Sequence, residues 1–227
     1  MIFADRREAG RRLAAALLQH SLKDPVVLAL ARGGVPVGFE IARALHAPLD
    51  LVLVRKIGAP APDQPELALG AIADGETPDL VMDDGIVAAL HVSPEYIAHT
   101  KSAALVEIER RRRAYLGDHP PVDIAGHTAI VVDDGVATGA TTRAALRAAR
   151  HRRPTQLVLA VPVAPVDSLA QLKREVDLAV CLDTPANFWG VGQFYLDFTQ
   201  VPDAEVADLL RQARQGAPAA PGQDDGR

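Results

Sequence analysis

Hydrophobic positions along the chain keep two rhythms, and each predicts a kind of element. Between residues 5 and 20, Ala9, Leu13, Ala16, Leu17 and His20 fall at helical spacing with Arg and Glu opposite them, which predicts an amphipathic helix capped by Asp5. "VVLALA" (26–31) is instead a continuous apolar run ending in "RGGVP", the pattern of a buried strand running into a tight turn, with a helix expected from about 36 to 46. "DLVLVRK" (50–56) predicts another buried strand. The prolines of "IGAPAPDQPE" (57–66) then forbid regular structure and predict an exposed, mobile loop, after which "LALGAIA" (67–73) resumes an extended pattern.

Ser93 followed by Pro94 marks the start of a long helix reaching about Leu116, where Gly117 and the Pro120-Pro121 pair end it. "TAIVV" (128–132), "QLVLAVPV" (156–163) and "DLAVCL" (177–182) predict further strands, separated by helices near 140–151 and 166–175, with a last helix over 203–214. Strands alternating with helices of this length mean an α/β fold with a mainly parallel sheet. One domain is expected over residues 1–215, and "GAPAAPGQDDGR" (216–227) has almost nothing to bury and reads as a disordered tail.

Composition sharpens this picture. Of 227 residues, 48% are hydrophobic but only 4% aromatic, so the core is aliphatic and suits a parallel sheet covered by helices better than an all-β sandwich. A formal net charge of -5 supplies no basic field for nucleic acid or an anionic membrane, and neither is expected as a partner. The basic run "IERRRRAYLG" (108–117) does not change this, because consecutive charges on a helix point in all directions and form no stripe. The single cysteine, Cys181, sits in an apolar run and reads as a buried, inert thiol. His46, His91, His99, His127 and His151 lack metal-ligand spacing. With no apolar run near the roughly 18 residues of a membrane span and no leader-like start, a cytoplasmic location is expected.

The chemistry concentrates in "AIVVDDGVATGATTRAAL" (129–146). Asp133 and Asp134 stand at the carboxyl end of a predicted strand, where ligands gather in open parallel sheets. The next helix begins near Gly139 or Ala140, so its free N–H groups face the same crevice as a preformed anion site. Gly135 and Gly139 let the backbone approach a ligand, and Thr138, Thr141 and Thr142 add hydroxyl donors. That cradle suits a phosphate, whereas the two acids suit hydroxyl donors or a divalent cation; a ribose 5-phosphate offers both ends. Alone, Asp-Asp-Gly is an ordinary turn, and "VMDDGIVAAL" (81–90), which lacks the threonines, assigns Asp83 and Asp84 to one.

"VVDDGVATGATT" resembles the 5-phosphoribosyl pyrophosphate (PRPP) signature of the type I phosphoribosyltransferases. The resemblance implies a phosphoribosyltransferase-like parallel sheet flanked by helices, with a small hood region. It implies that Ala137, Thr138, Gly139, Ala140, Thr141 and Thr142 hold the 5-phosphate, with Asp133 and Asp134 at the ribose. "LARGGVP" (30–36) resembles the family's pyrophosphate loop, implying that Arg32, Gly33 and Gly34 meet the leaving group. "VRKIGAPAPDQPELALG" (54–70) is similar to the adenine-type enzymes, implying that Arg55 and Lys56 neutralise phosphoryl charge, that the proline-rich loop is a lid, and that Glu66 handles a proton on the base or is simply a solvated acid.

Ala137 stands where the hypoxanthine-guanine enzymes carry a proton-accepting Asp, which argues against oxopurine chemistry and leaves adenine as the acceptor to test first. In "NFWGVGQFYLDF" (187–198) the aromatics form either a base-stacking surface, with Trp189 the best candidate, or a satellite core cluster, the favoured reading. The resemblance further implies Mg2+ bound with PRPP and a homodimer. The rival function is a PRPP or nucleotide sensor that keeps the fold and catalyses nothing.

Overall fold

The computed structural model describes residues 1–61, 63, 67–74 and 79–216. Helix α1 (Arg6–Leu17) opens at Asp5, whose carboxylate accepts the Glu8 N–H at 2.7 Å, and leads to strand β1 (Pro25–Leu30). Helix α2 (Gly34–Leu45) follows two residues earlier than the pattern predicts, because the Gly33-Gly34 pair coils into it. Strand β2 (Leu49–Val52) joins the main sheet, whereas β3 (Val54–Gly58), β4 (Ala68–Ala73) and β5 (Asp79–Met82) form a separate antiparallel sheet. Short helix α3 (Asp84–Ala89) and long helix α4 (Pro94–Leu116) precede β6 (Thr128–Val132). Helix α5 (Ala140–His151), β7 (Gln156–Val163), α6 (Val166–Leu172), β8 (Leu178–Asp183) and α7 (Asp203–Gly216) complete the chain.

The main sheet runs β2-β1-β6-β7-β8, every pair parallel. Its central strands are buried on both faces, and side chains alternate between two cores as the period of two requires. Val27, Ala29, Ile130, Val132 and Val158 pack with Leu13 and Leu17 of α1 and Leu209 and Leu210 of α7. Val26, Leu28, Ala129, Val131 and Leu159 pack with Leu146 of α5 and Leu172 of α6. Phe194 and Tyr195 of the "NFWGVGQFYLDF" segment are buried with Phe3 in a third cluster, as the core reading expects.

Two expectations need correction. "DLVLVRK" is not one strand: at Leu53 the chain leaves the main sheet, because the Leu53 N–H is taken by the Asp74 carboxylate (2.9 Å) and not by a strand partner. Apolar continuity cannot reveal that break. Asp83 and Asp84 do not form a free turn; Asp83 caps α3 by accepting the Ile86 N–H at 3.1 Å. Cys181 is partly buried and not fully so as expected; its sulfur donates to the Asp183 carbonyl, and burial pushes the thiol pKa up. The tail from 217 onward and Glu66 lie outside the described residues.

Candidate active site

Strand β6, in the middle of the sheet, delivers Asp133 and Asp134 to its carboxyl end, directly beside the end of β1. The two ends touch. A Cβ on Gly33 would lie 2.0 Å from Asp134 Oδ2, and one on Gly34 would lie 2.6 Å from the Val132 carbonyl oxygen. Only glycine allows this approach, so the expected pyrophosphate turn and the expected ribose acids share one wall. The intervening Ala31-Arg32 peptide bond is cis.

Asp134 is held from two directions. Arg6 Nε donates to its Oδ2 at 2.7 Å, with both side chains nearly buried (11% and 14% exposed). The Tyr195 hydroxyl donates to its backbone carbonyl at 2.6 Å. Arg6 is itself fixed, with its guanidinium 4.0 Å from the centre of the Phe198 ring and a hydrogen bond of 2.8 Å to the Thr199 carbonyl. Asp133 accepts the Asp134 N–H at 2.9 Å. Burial, then the adjacent Asp134 charge, pushes the Asp133 pKa well above the usual carboxylate range. Burial raises Asp134 too, with Arg6 opposing it. The pair is therefore costly to ionise and held in place at the carboxyl ends of β6 and β1.

Behind the acids, residues 133–139 loop to α5. Gly139, at φ +80°, occupies the cap position, where no side chain satisfies the helix N–H groups. Gly135 packs so closely on Val191 that a Cβ would sit 2.5 Å from its Cγ1, and Ser168 Oγ donates to the Ala137 carbonyl at 2.7 Å. The loop is thus pinned at both ends. Ala137 and Thr138 are exposed, Ala140 and Thr141 partly so, and Thr142 is buried.

Arg32, just before the Gly33-Gly34 pair, points to Asp203 at the start of α7, 3.4 Å away, and Tyr115 donates to the same carboxylate oxygen at 2.7 Å. Arg55 and Lys56 on β3 line a cavity of about 410 Å³ together with Thr141 in the first turn of α5 and Arg111 of α4. Trp189 is 90% exposed, on the segment whose Val191 and Tyr195 pack against the acid loop. Sequence reasoning missed Arg6, Arg111 and Asp203. Arg6 looked like part of the solvated face of α1, and nothing local reveals a partner 128 residues away.

Among the described residues, no three His, Cys, Asp or Glu side chains gather into a metal site, and no helix is long and apolar enough to cross a membrane.

The model of the phosphoribosyl transferase domain matches residues 5–199. Two Mycobacterium tuberculosis proteins, from strains CDC 1551 / Oshkosh and ATCC 25618 / H37Rv and provisionally named phosphoribosyl transferases, are each 45% identical over 214 residues. The match covers 94% of this chain and 47% of each relative, so the chain spans about half the length of the curated relatives it matches. The crystal structure of TT1426 from Thermus thermophilus is 40% identical, with a TM-score of 0.79 covering 93% of this chain and 99% of that one. With the acid pair, the paired glycines and the uncapped helix set at one sheet edge, these matches make the chain a member of the phosphoribosyl transferase family.

Proposed function

We propose that the protein is an enzyme that transfers the 5-phosphoribosyl group of PRPP to a nitrogenous base and releases pyrophosphate. The observation that carries this reading is the junction of the Asp133-Asp134 pair, the Gly33-Gly34 turn and the uncapped start of α5 at the ends of β1 and β6. The 5-phosphate is assigned to the loop Ala137, Thr138, Gly139, Ala140, Thr141 and Thr142, the ribose diol to the two acids, and the diphosphate to Arg32, Gly33, Gly34, Arg55 and Lys56.

In this mechanism the bond from ribose C1 to pyrophosphate breaks with both electrons leaving on the phosphate, and a base nitrogen donates its lone pair to C1. The fixed negative field of Asp133 and Asp134 favours the cationic sugar between those events. Arg32 exchanges its exposed Asp203 contact for the leaving group, a low-cost swap for a partly solvated ion pair. Glu66 is assigned the base proton and Trp189 the stacking face.

The Asp133-Asp134 pair fits a Mg2+ that arrives with PRPP, since paired carboxylates suit a hard divalent cation whose remaining ligands are substrate oxygens and water. Bound with PRPP, the ion neutralises diphosphate charge and so stabilises the leaving group. A cytoplasmic homodimer accompanies this reading, with the oligomeric state checked by light scattering.

The test mixes protein, Mg2+ and PRPP with a panel of bases, adenine first, and follows pyrophosphate. Base-dependent release is expected; PRPP binding with no release across the panel would instead make the protein a sensor. With the accepted base, Trp189→Ala should raise the KM for the base several-fold and leave the KM for PRPP unchanged.

A further inference from the structure

The cavity under β3 and β4 is lined by cations from two unrelated parts of the chain. Arg55 and Lys56 come from the small sheet; Arg111 comes from α4 and belongs to no motif. Among the described residues, neither Arg55 nor Lys56 has an ion-pair partner, and no described carboxylate lines the cavity. Arg55 and Lys56 repel each other and Arg111, whose ion pair with Glu107 offsets only part of the charge, and an anion relieves the repulsion.

Arg111 is suited to that anion. Its Nε donates to Glu107 at 2.8 Å, while both Nη nitrogens lack a described partner. Glu107 is shared with Arg110, which binds it through Nε at 2.7 Å and Nη2 at 3.0 Å. These hydrogen bonds hold the Glu107 carboxyl down at about 2, so it stays ionised, and one carboxylate against two guanidinium groups leaves a positive excess. The side chains part in direction: Arg110 is 59% exposed, whereas Arg111 is 25% exposed and faces the cavity.

The backbone carrying Arg111 is also fixed to the small sheet. At one end of α4 the Tyr96 hydroxyl donates to the Gly58 carbonyl at 3.3 Å. Near the other, Arg112 forms an ion pair with Asp74, which in turn accepts the Leu53 N–H. A guanidinium fork with N–H groups to spare, lining the same cavity as Arg55 and Lys56, suits a phosphate.

We propose that Arg111 is a further substrate-binding residue, the third cation of a site that seats the diphosphate end of PRPP between β3 and α4. The inference rests on the PRPP reading above. It assigns to a helix outside every recognised motif a direct contact with the leaving group.

Calorimetric titration of the full chain with magnesium pyrophosphate, magnesium PRPP and ribose 5-phosphate tests it in the wild type, Arg111→Gln, Arg111→Lys and Arg110→Gln. Arg111→Gln should bind pyrophosphate about tenfold more weakly, the loss expected for a charge-assisted hydrogen bond. Ribose 5-phosphate binding should hold, Arg111→Lys should recover part of the loss, and Arg110→Gln, which leaves Glu107 to Arg111 alone, should weaken pyrophosphate binding by less than Arg111→Gln does. Circular dichroism confirms that each variant is folded, and the Lys variant carries the test if the Gln variant is not. Equal pyrophosphate affinity in wild type and Arg111→Gln, or a loss confined to ribose 5-phosphate, would overturn the proposal while wild-type PRPP binding stands. Absence of wild-type PRPP binding would overturn the function itself.

Discussion

Asp133 carries the conflict between stability and function at its sharpest. Its pKa in the fold is raised, so over the range from the ordinary carboxylate value, about 3.9, up to the raised value the native state binds more protons than the unfolded chain. Stability therefore falls as pH rises through that window, and above it the full cost is present. Asp133→Asn removes the charge while keeping an oxygen for the Asp134 N–H. It should raise Tm at pH 7 by about 2–4 °C, the shift for about 1 kcal/mol in a chain of this size, and flatten the pH dependence. Turnover should fall by about a hundredfold or more. Thermal melts across pH and a pyrophosphate assay check both; a variant that is less stable at pH 7 contradicts the account. The paired glycines separate two kinds of crowding. Gly33→Ala displaces the Asp134 carboxylate from its nearly buried Arg6 partner, so PRPP affinity and Tm should drop together. Gly34→Ala meets the Val132 backbone and should cost about 1–3 kcal/mol in unfolding free energy. The acids and the glycines were legible because their spacing is local. Arg6 and Asp203 were not, since each acts on a residue distant in sequence.

Among the elements, α4 shows why a basic run resists reading. Its four consecutive arginines look alike in sequence, yet Arg110 and Arg111 share Glu107, Arg113 pairs with Glu109, and Arg112 reaches Asp74 at the point where the chain leaves the main sheet. The Arg112–Asp74 pair ties α4 to the small sheet. Asp74 is the more buried partner, at 8% exposure against 23%, and burial raises its pKa. Arg112→Gln strands a buried carboxylate, whereas Asp74→Asn leaves a cation that reaches water. The first should therefore destabilise by about 2 kcal/mol, the buried-pair value discounted for partial exposure, and the second by less. Urea unfolding of both variants tests the order, and the reverse ranking refutes it. The same junction hid the change of sheet within "DLVLVRK": periodicity reports burial, not which partner strand supplies the hydrogen bonds.

Over the whole molecule, alternating strands and helices were enough to foresee a parallel sheet with helices on both faces, because that architecture follows from burying both sides of β1, β6 and β7. Net charge was a poorer guide. The chain carries -5 overall, yet Arg55, Lys56 and Arg111 make one cavity cationic while Asp133 and Asp134 form an anionic site at the sheet's edge. PRPP, with a diol near one end of its sugar and phosphoryl groups at both ends, is complementary to that division. The most direct test is calorimetric titration with magnesium PRPP, comparing the wild type with Asp133→Asn/Asp134→Asn. The account predicts saturable binding by the wild type and its loss by at least about tenfold in the double variant, with both chains folded. No binding by the wild type, or equal binding by the two, would contradict it.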